Sequence, residues 1–153
     1  MLFLLLLVFV IADKVNYYDL ALKKCKNNNS WSIHGLWPEY TVHSWPQFCD
    51  PTRYNLFNKS VVESFSFYDD LVTNWYSCTS ESSYSLWENE WQKHGTCTKL
   101  SPQDYFLTVV DLFHTLTKYQ SCCDKTWNQC LMKLNLDYNW QGTCTFLQES
   151  VTF

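Results

Sequence analysis

Eight cysteines in a chain of 153 residues limit what it can fold into more than any other feature. Thiols at that density and in even number fit a set of disulfides formed in an oxidising compartment, while their spacing leaves the pairing open. The length suits one domain, since domains usually run to roughly 100–200 residues. Eight tryptophans, ten tyrosines and ten phenylalanines stand against three glycines and four prolines. That much aromatic area asks to be buried, which excludes disordered, collagen-like and linker proteins.

The run from Met1 to Ile11 is almost wholly apolar and leads into Ala12-Asp13-Lys14. It is too short to span a bilayer, which takes about 20 apolar residues, and reads as a secretory signal peptide over residues 1–12. A single domain over residues 13–153 is then expected. Asn28-Asn29-Ser30 and Asn58-Lys59-Ser60 are glycosylation sequons, so Asn28 and Asn58 are candidate attachment sites. A net charge of −4 provides no basic patch for bulk attraction to phosphates, and no basic amphipathic helix suggests a membrane-acting peptide. Protonating the four histidines in an acidic compartment would cancel that charge and permit a polyanionic partner.

Asn16–Leu22 and Trp31–Gly35 read as strands; in the second, Trp31 and Ile33 share one face and Ser32 and His34 the other, opposite the core. Apolar spacing predicts a helix over Lys59–Trp75, broken near Ser66, and another over Leu86–His94, with Gly95 placed for a left-handed C-terminal cap. Ser101-Pro102 is a helix start leading into Tyr105–Lys118, and the cysteine-rich tail holds short strand-like runs such as Thr143–Leu147. The expectation is an α+β domain with disulfide-tied ends.

Within Trp87-Glu88-Asn89-Glu90-Trp91-Gln92-Lys93-His94, helical spacing lets Glu90, Lys93 and His94 reach one cleft, with Trp87 and Trp91 beside them. Taken alone, such a segment reads more readily as a surface helix with an ordinary Glu–His pair and two core tryptophans. A second histidine favours a catalytic reading. His34 sits in Ser32-Ile33-His34-Gly35-Leu36-Trp37-Pro38, where Gly35 lets the chain turn and Trp37-Pro38 forms a rigid aromatic platform. Two histidines, a carboxylate and a lysine are the parts needed to cleave RNA without a metal, because the ribose 2′-OH is an internal nucleophile. His43, in the Tyr40–Pro46 loop, reads as solvent-facing, and His114 as a packing or surface residue. No C-x-x-C pair or H-E-x-x-H spacing suggests a metal site.

These two segments, Ser32–Pro38 and Trp87–Cys97, resemble in content and order the active-site motifs of the ribonuclease T2 family, secreted acid-range endoribonucleases that include plant self-incompatibility-like members. The resemblance implies a ribonuclease T2-like α+β fold, with a central antiparallel sheet and packed helices. It also implies a monomer without cofactor that cleaves single-stranded RNA to 2′,3′-cyclic phosphate ends with little base preference. His94 would be the general base at the 2′-OH and His34 the general acid at the leaving oxygen, while Glu90 and Lys93 would stabilise the pentacovalent transition state. Trp37 would stack on a nucleobase, and Glu39 and Tyr40 lie where base contacts follow the motif in relatives. Asn89 stands where relatives often carry a third histidine against phosphate; an amide hydrogen-bonds without charge, which implies weaker substrate binding or a shifted pH optimum.

The family pattern implies the disulfides Cys49–Cys97 and Cys25–Cys78, with Cys122 or Cys123 paired to Cys130 and the other to Cys144. The chain is short, relative to the family, before the first motif and again between Tyr105–Lys118 and the tail. Those gaps sustain a second expectation, a catalytically silent or truncated RNA-binding paralogue. The implied location is secreted or in a vacuolar or lysosomal lumen, without stable membrane association after signal cleavage.

Overall fold

The computed structural model describes residues 14–26, 30–123 and 129–146. The expected signal peptide, Asn28 and Leu147 lie outside the described residues. Strands β1 (Tyr17–Lys24), β2 (Trp31–Glu39), β3 (Gln129–Leu134) and β4 (Trp140–Phe146) form one antiparallel sheet in the order β2-β1-β3-β4. Leu20, Ala21 and Leu22, in the middle of β1, are fully buried. β2 lies at the sheet edge, which is why it runs through Pro38, a residue with no N–H for a ladder.

β2 does not keep the simple alternation expected of it. Ala21 pairs with Gly35 and Leu22 with Ile33, so His34 is the extra residue of a β-bulge. Bulges re-aim side chains, and this one turns the imidazole out of the regular pleat. Ser32, expected on the face away from the core, is instead fully buried, its Oγ accepting from the Tyr76 amide at 3.1 Å.

The helical pattern of residues 59–75 forms two short helices, α1 (Lys59–Glu63) and α2 (Tyr68–Asn74), broken close to Ser66 as expected. Exposed Asn58 caps α1 by accepting from the Val61 amide at 3.1 Å. α3 (Ser83–Lys93) starts earlier than apolar spacing predicts, because Ser82 accepts from the Ser85 amide and supplies the cap. α4 (Pro102–Leu116) begins at the Ser-Pro signal, with Ser101 accepting from Asp104.

Gly95 corrects the left-handed cap expectation. It has no positive φ and opens a 3-10 turn, Gly95–Cys97. Its need for glycine comes from packing, since a Cβ there would lie 2.3 Å from the Trp91 ring. Arg53 ties down the chain that follows: its guanidinium donates to the carbonyls of Thr96 (3.2 Å), Thr98 (2.8 Å) and Leu100 and lies 5.0 Å from the Trp91 ring centroid.

The core is an aromatic cluster between sheet and helices, with Phe106 rings 4.9 Å from Phe57 and 5.0 Å from Trp75. Buried Tyr105 of α4 donates its hydroxyl to the Leu36 carbonyl at 3.1 Å, which locks that helix to β2 beside the first motif. The disulfides Cys25–Cys78 and Cys49–Cys97 are those the resemblance implied; in the tail, Cys123 pairs with Cys130 and Cys122 with Cys144. Gly95→Ala is expected to lower unfolding stability by about 1–3 kcal/mol in urea titration through overpacking against Trp91; an unchanged midpoint would contradict this.

Candidate active site

His34 is held from three sides. Its carbonyl accepts from the Trp75 indole at 2.9 Å, and its Nδ1 faces the Gln129 Nε2 at 3.2 Å. An amide nitrogen only donates, so in the neutral ring Nδ1 accepts and the proton sits on Nε2, which lies 3.5 Å from Glu90 Oε1; the imidazolium form carries a proton on both nitrogens. The side chain stays 23% exposed, open to a substrate.

Glu90 reaches this point because α3 presents it inward and because residue 35 has no side chain. A Cβ on Gly35 would lie 2.1 Å from Glu90 Oε2, the same oxygen that accepts from the Trp37 indole at 2.9 Å. Burial pushes the Glu90 carboxyl up to about 8, against the opposing pull of the Trp37 hydrogen bond and the Lys93 charge. At acidic and neutral pH it is a neutral acid.

His94 ends α3, and its ring stacks on Trp37 with centroids 5.2 Å apart and planes 22° apart. It is 3% exposed, and its buried Nδ1 has no hydrogen-bond partner among the described residues. Burial foremost, then the charges of Lys93 and His34, push its pKa down to about 3. The imidazole is therefore neutral, and able to accept a proton, far into the acid range. The Trp37 ring also meets His34 edge-on at 5.3 Å, so one indole stands between the two imidazoles.

Lys93 lines the cleft beside His94, and its carbonyl accepts from the Phe48 amide at 2.9 Å next to the Cys49–Cys97 bridge. The cleft encloses about 170 Å³ and is lined by Trp37, Lys93 and His94 together with Tyr17, Asp19, Glu39, Val42 and Trp45. A second cavity of about 170 Å³ carries His34 together with Lys23, Ser77, Thr79, Glu81 and Asn89.

Thus His34, Trp37, Glu39, Glu90, Lys93 and His94, all singled out from sequence, converge, and exposed Asn89 borders the second cavity. Tyr40 lines neither cavity: its amide donates to the Ser44 carbonyl at 2.9 Å in a tight turn that carries Trp45 to the cleft in its stead. His43 is exposed on that turn, and His114 pairs with Asp70 at 3.4 Å on the surface. Sequence reasoning missed Gln129, Trp45 and Asp19. Gln129 comes from β3, far down the chain from its partner, and Trp45 was one tryptophan among eight. Among the described residues, Cys122, Cys123 and Cys144 alone bring metal-ligating atoms together, and their sulfurs are in disulfides.

Residues 12–126 match the model of the Ribonuclease T2 family. The chain is 40% identical over 113 residues to Intracellular ribonuclease LX of Solanum lycopersicum, covering 67% of this chain and 45% of that protein. It is 41% identical over 98 residues to Ribonuclease 3 of Arabidopsis thaliana, covering 57% and 42%. It therefore spans less than half the length of these curated relatives. The fold resembles ribonuclease MC1 from bitter gourd seeds, with TM-score 0.61 and 16% identity over 87% of this chain and 94% of that one. It also resembles RNase NT in a complex with 5′-AMP, with TM-score 0.60 and 18% identity over 88% and 91%.

The two perturbed groups pull stability in opposite directions. Glu90, raised from 4.5 to about 8, contributes stability that is full below pH 4.5 and lost as pH rises through 8. His94, lowered from 6.5 to about 3, contributes stability that is full above pH 6.5 and lost as pH falls through 3. Glu90→Gln is expected to flatten the loss of Tm between pH 4.5 and 8; a loss as steep as in the parent protein would contradict the protonated-acid assignment.

Proposed function

Since this chain belongs to the Ribonuclease T2 family, we propose that it is an endoribonuclease that cleaves single-stranded RNA by transesterification, with its own side chains carrying every proton. The observation that carries this reading is the convergence of His34, Glu90 and His94 around Trp37 at the wall of an open cleft. Neutral His94 takes the proton from a ribose 2′-OH. The 2′-oxygen attacks phosphorus, the bond from phosphorus to the 5′-oxygen breaks, and that oxygen takes the Nε2 proton of His34 in its imidazolium form, which leaves a neutral ring. Lys93 and the protonated Glu90 meet the charge that builds on the phosphoryl oxygens, and the products are a 2′,3′-cyclic phosphate and a 5′-hydroxyl.

The two cavities suit the nucleotides on either side of the scissile phosphate, since one carries His94 and Trp37 and the other His34 and Asn89. Trp37 and Trp45 offer aromatic faces for stacking a base in the first cavity, a mode that tolerates different bases. Asn89 contacts the substrate by hydrogen bonding in the second. Four disulfides support residence in an oxidising compartment, secreted or in a vacuolar or lysosomal lumen, and no helix among the described residues is long and apolar enough to cross a membrane. We propose that the protein works as a monomer. The second reading, a silent RNA-binding paralogue, rests on the segments that are short relative to the family.

Incubation with single-stranded RNA at mildly acidic pH separates the two. Cleavage to cyclic-phosphate ends, unaffected by a chelator, is expected; binding without cleavage would favour the silent paralogue, and activity abolished by the chelator would sink the mechanism. His34→Ala and His94→Ala should each lower kcat by roughly 10²–10⁴-fold, the usual contribution of a general acid or base. Asn89→His should lower KM at pH 5 by adding a cation against phosphate, and an unchanged KM would remove Asn89 from the substrate site.

A further inference from the structure

His34 and Gln129 meet across an intervening strand. Gln129 opens β3 and pairs with Lys23 of β1, which pairs in turn with Ser32 of β2. β2 and β3 therefore lie two inter-strand spacings apart, about 9.5 Å, and only a long side chain bridges them. Gln129 does so, with its Nε2 3.2 Å from His34 Nδ1. It is 6% exposed and lines neither cavity, so it stands behind the ring, outside the space a substrate would take. Its neighbour Cys130 is bonded to Cys123 and paired with both Leu22 and Phe146, which fixes the start of β3.

A buried amide at this position can serve His34 in two ways. It carries donor and acceptor on one flat group, and a half-turn about its last side-chain bond exchanges them. With Nε2 toward the ring, it donates to Nδ1 and holds the neutral imidazole with its proton on Nε2. With Oε1 toward the ring, it accepts from the Nδ1–H that the imidazolium carries. When the imidazolium passes its Nε2 proton to the leaving oxygen, the neutral ring left behind keeps the Nδ1 proton on the amide oxygen. Its Nε2 is then bare and open to reprotonation from solvent. No other hydrogen bond among the described residues holds the Gln129 side chain, so the half-turn breaks only the one to Nδ1.

We propose that Gln129 is a positioning residue for the acid step, its amide turning over with the charge of His34 so that the ring stays aimed at the leaving oxygen in both protonation states. This rests on the ribonuclease reading and goes beyond it, because that reading needs only that His34 carries a proton. Other side chains lack the two-way chemistry: a carboxylate only accepts and so favours the imidazolium, and a thioether is a poor partner for either form. The titratable groups that face His34 are Glu90 and His94 from the end of α3, Lys23 on β1 and Glu81 ahead of α3. They are common to the parent protein and its Gln129 variants, so a change confined to the variants reports Gln129.

Nitrogen NMR titration of the His34 ring in the folded protein, run beside kcat and KM on single-stranded RNA, tests this. Above its midpoint the parent ring should carry its proton on Nε2. Gln129→Glu should raise the midpoint by about one pH unit or more and move the neutral ring's proton to Nδ1. Gln129→Met, of similar length, should lower the midpoint by about one pH unit and lower kcat roughly 10- to 100-fold at unchanged KM, through loss of a hydrogen bond to a charged ring. Gln129→Asn, one methylene short of the reach across β1, should follow Gln129→Met. A merely structural residue would lower Tm in these variants and leave the His34 midpoint and tautomer where they were. That result, in a parent protein that cleaves RNA, overturns this inference and leaves the ribonuclease reading intact. A parent protein that binds RNA without cleaving it overturns the ribonuclease reading and the positioning role together.

Discussion

A carboxyl group stripped of nearly all its water must find hydrogen bonds, give up its charge, or both, and Glu90 does both. It packs against the bare Cα of Gly35 and takes the Trp37 indole proton on one oxygen while the other faces His34. The indole so fixed has one edge toward His34 and one face against His94. A single buried acid thereby sets the spacing of the two imidazoles, and the glycine that admits it follows His34 in sequence.

The rest of the fold holds the two ends of this contact in register. The bulge in β2 offers His34 from the strand side, and Trp75, buried in the aromatic core, grips its backbone. From the helix side, the Ser82 cap starts α3, while the Trp91–Gly95 contact and Arg53 fix where it stops. Cys49–Cys97 and the Phe48–Lys93 hydrogen bond then lock the loop after the first motif to the end of α3. Tyr105 ties α4 to Leu36, one residue beyond Gly35. Core aromatics and cleft aromatics are thus one continuous packing, which explains how a chain with three glycines affords two of them beside its histidines.

Much of the site was legible because it lies in two short segments whose internal spacing is fixed by a strand and a helix. Glu90 and His94 share a helical face by periodicity alone, and His34 was singled out by its motif although the alternation that placed it was wrong. The bulge could not be read, because a bulge is set by the partner strand's register and no residue in β2 announces it. Gly95 shows the same limit: glycine after a helix suggests a left-handed cap, and only the position of Trp91 reveals a packing requirement. Gln129 and Asp19 escaped notice for a tertiary reason as well. They come from β3 and β1, which meet β2 or one another only through sheet order, and neither sits in a motif. In the tail, adjacent Cys122 and Cys123 made two pairings equivalent in sequence, and the path of β3 and β4 separated them.

Burial sets the protonation states on which the whole account turns, with His94 neutral and Glu90 an acid where free side chains would be the reverse at mildly acidic pH. The most direct test is a side-chain NMR titration of His94 in the folded protein, assigned by comparison with His94→Gln. A midpoint near 3, with the ring neutral throughout the mildly acidic range, is the predicted result. A midpoint near 6.5, the value of a solvated imidazole, would contradict it and remove the neutral base from the site.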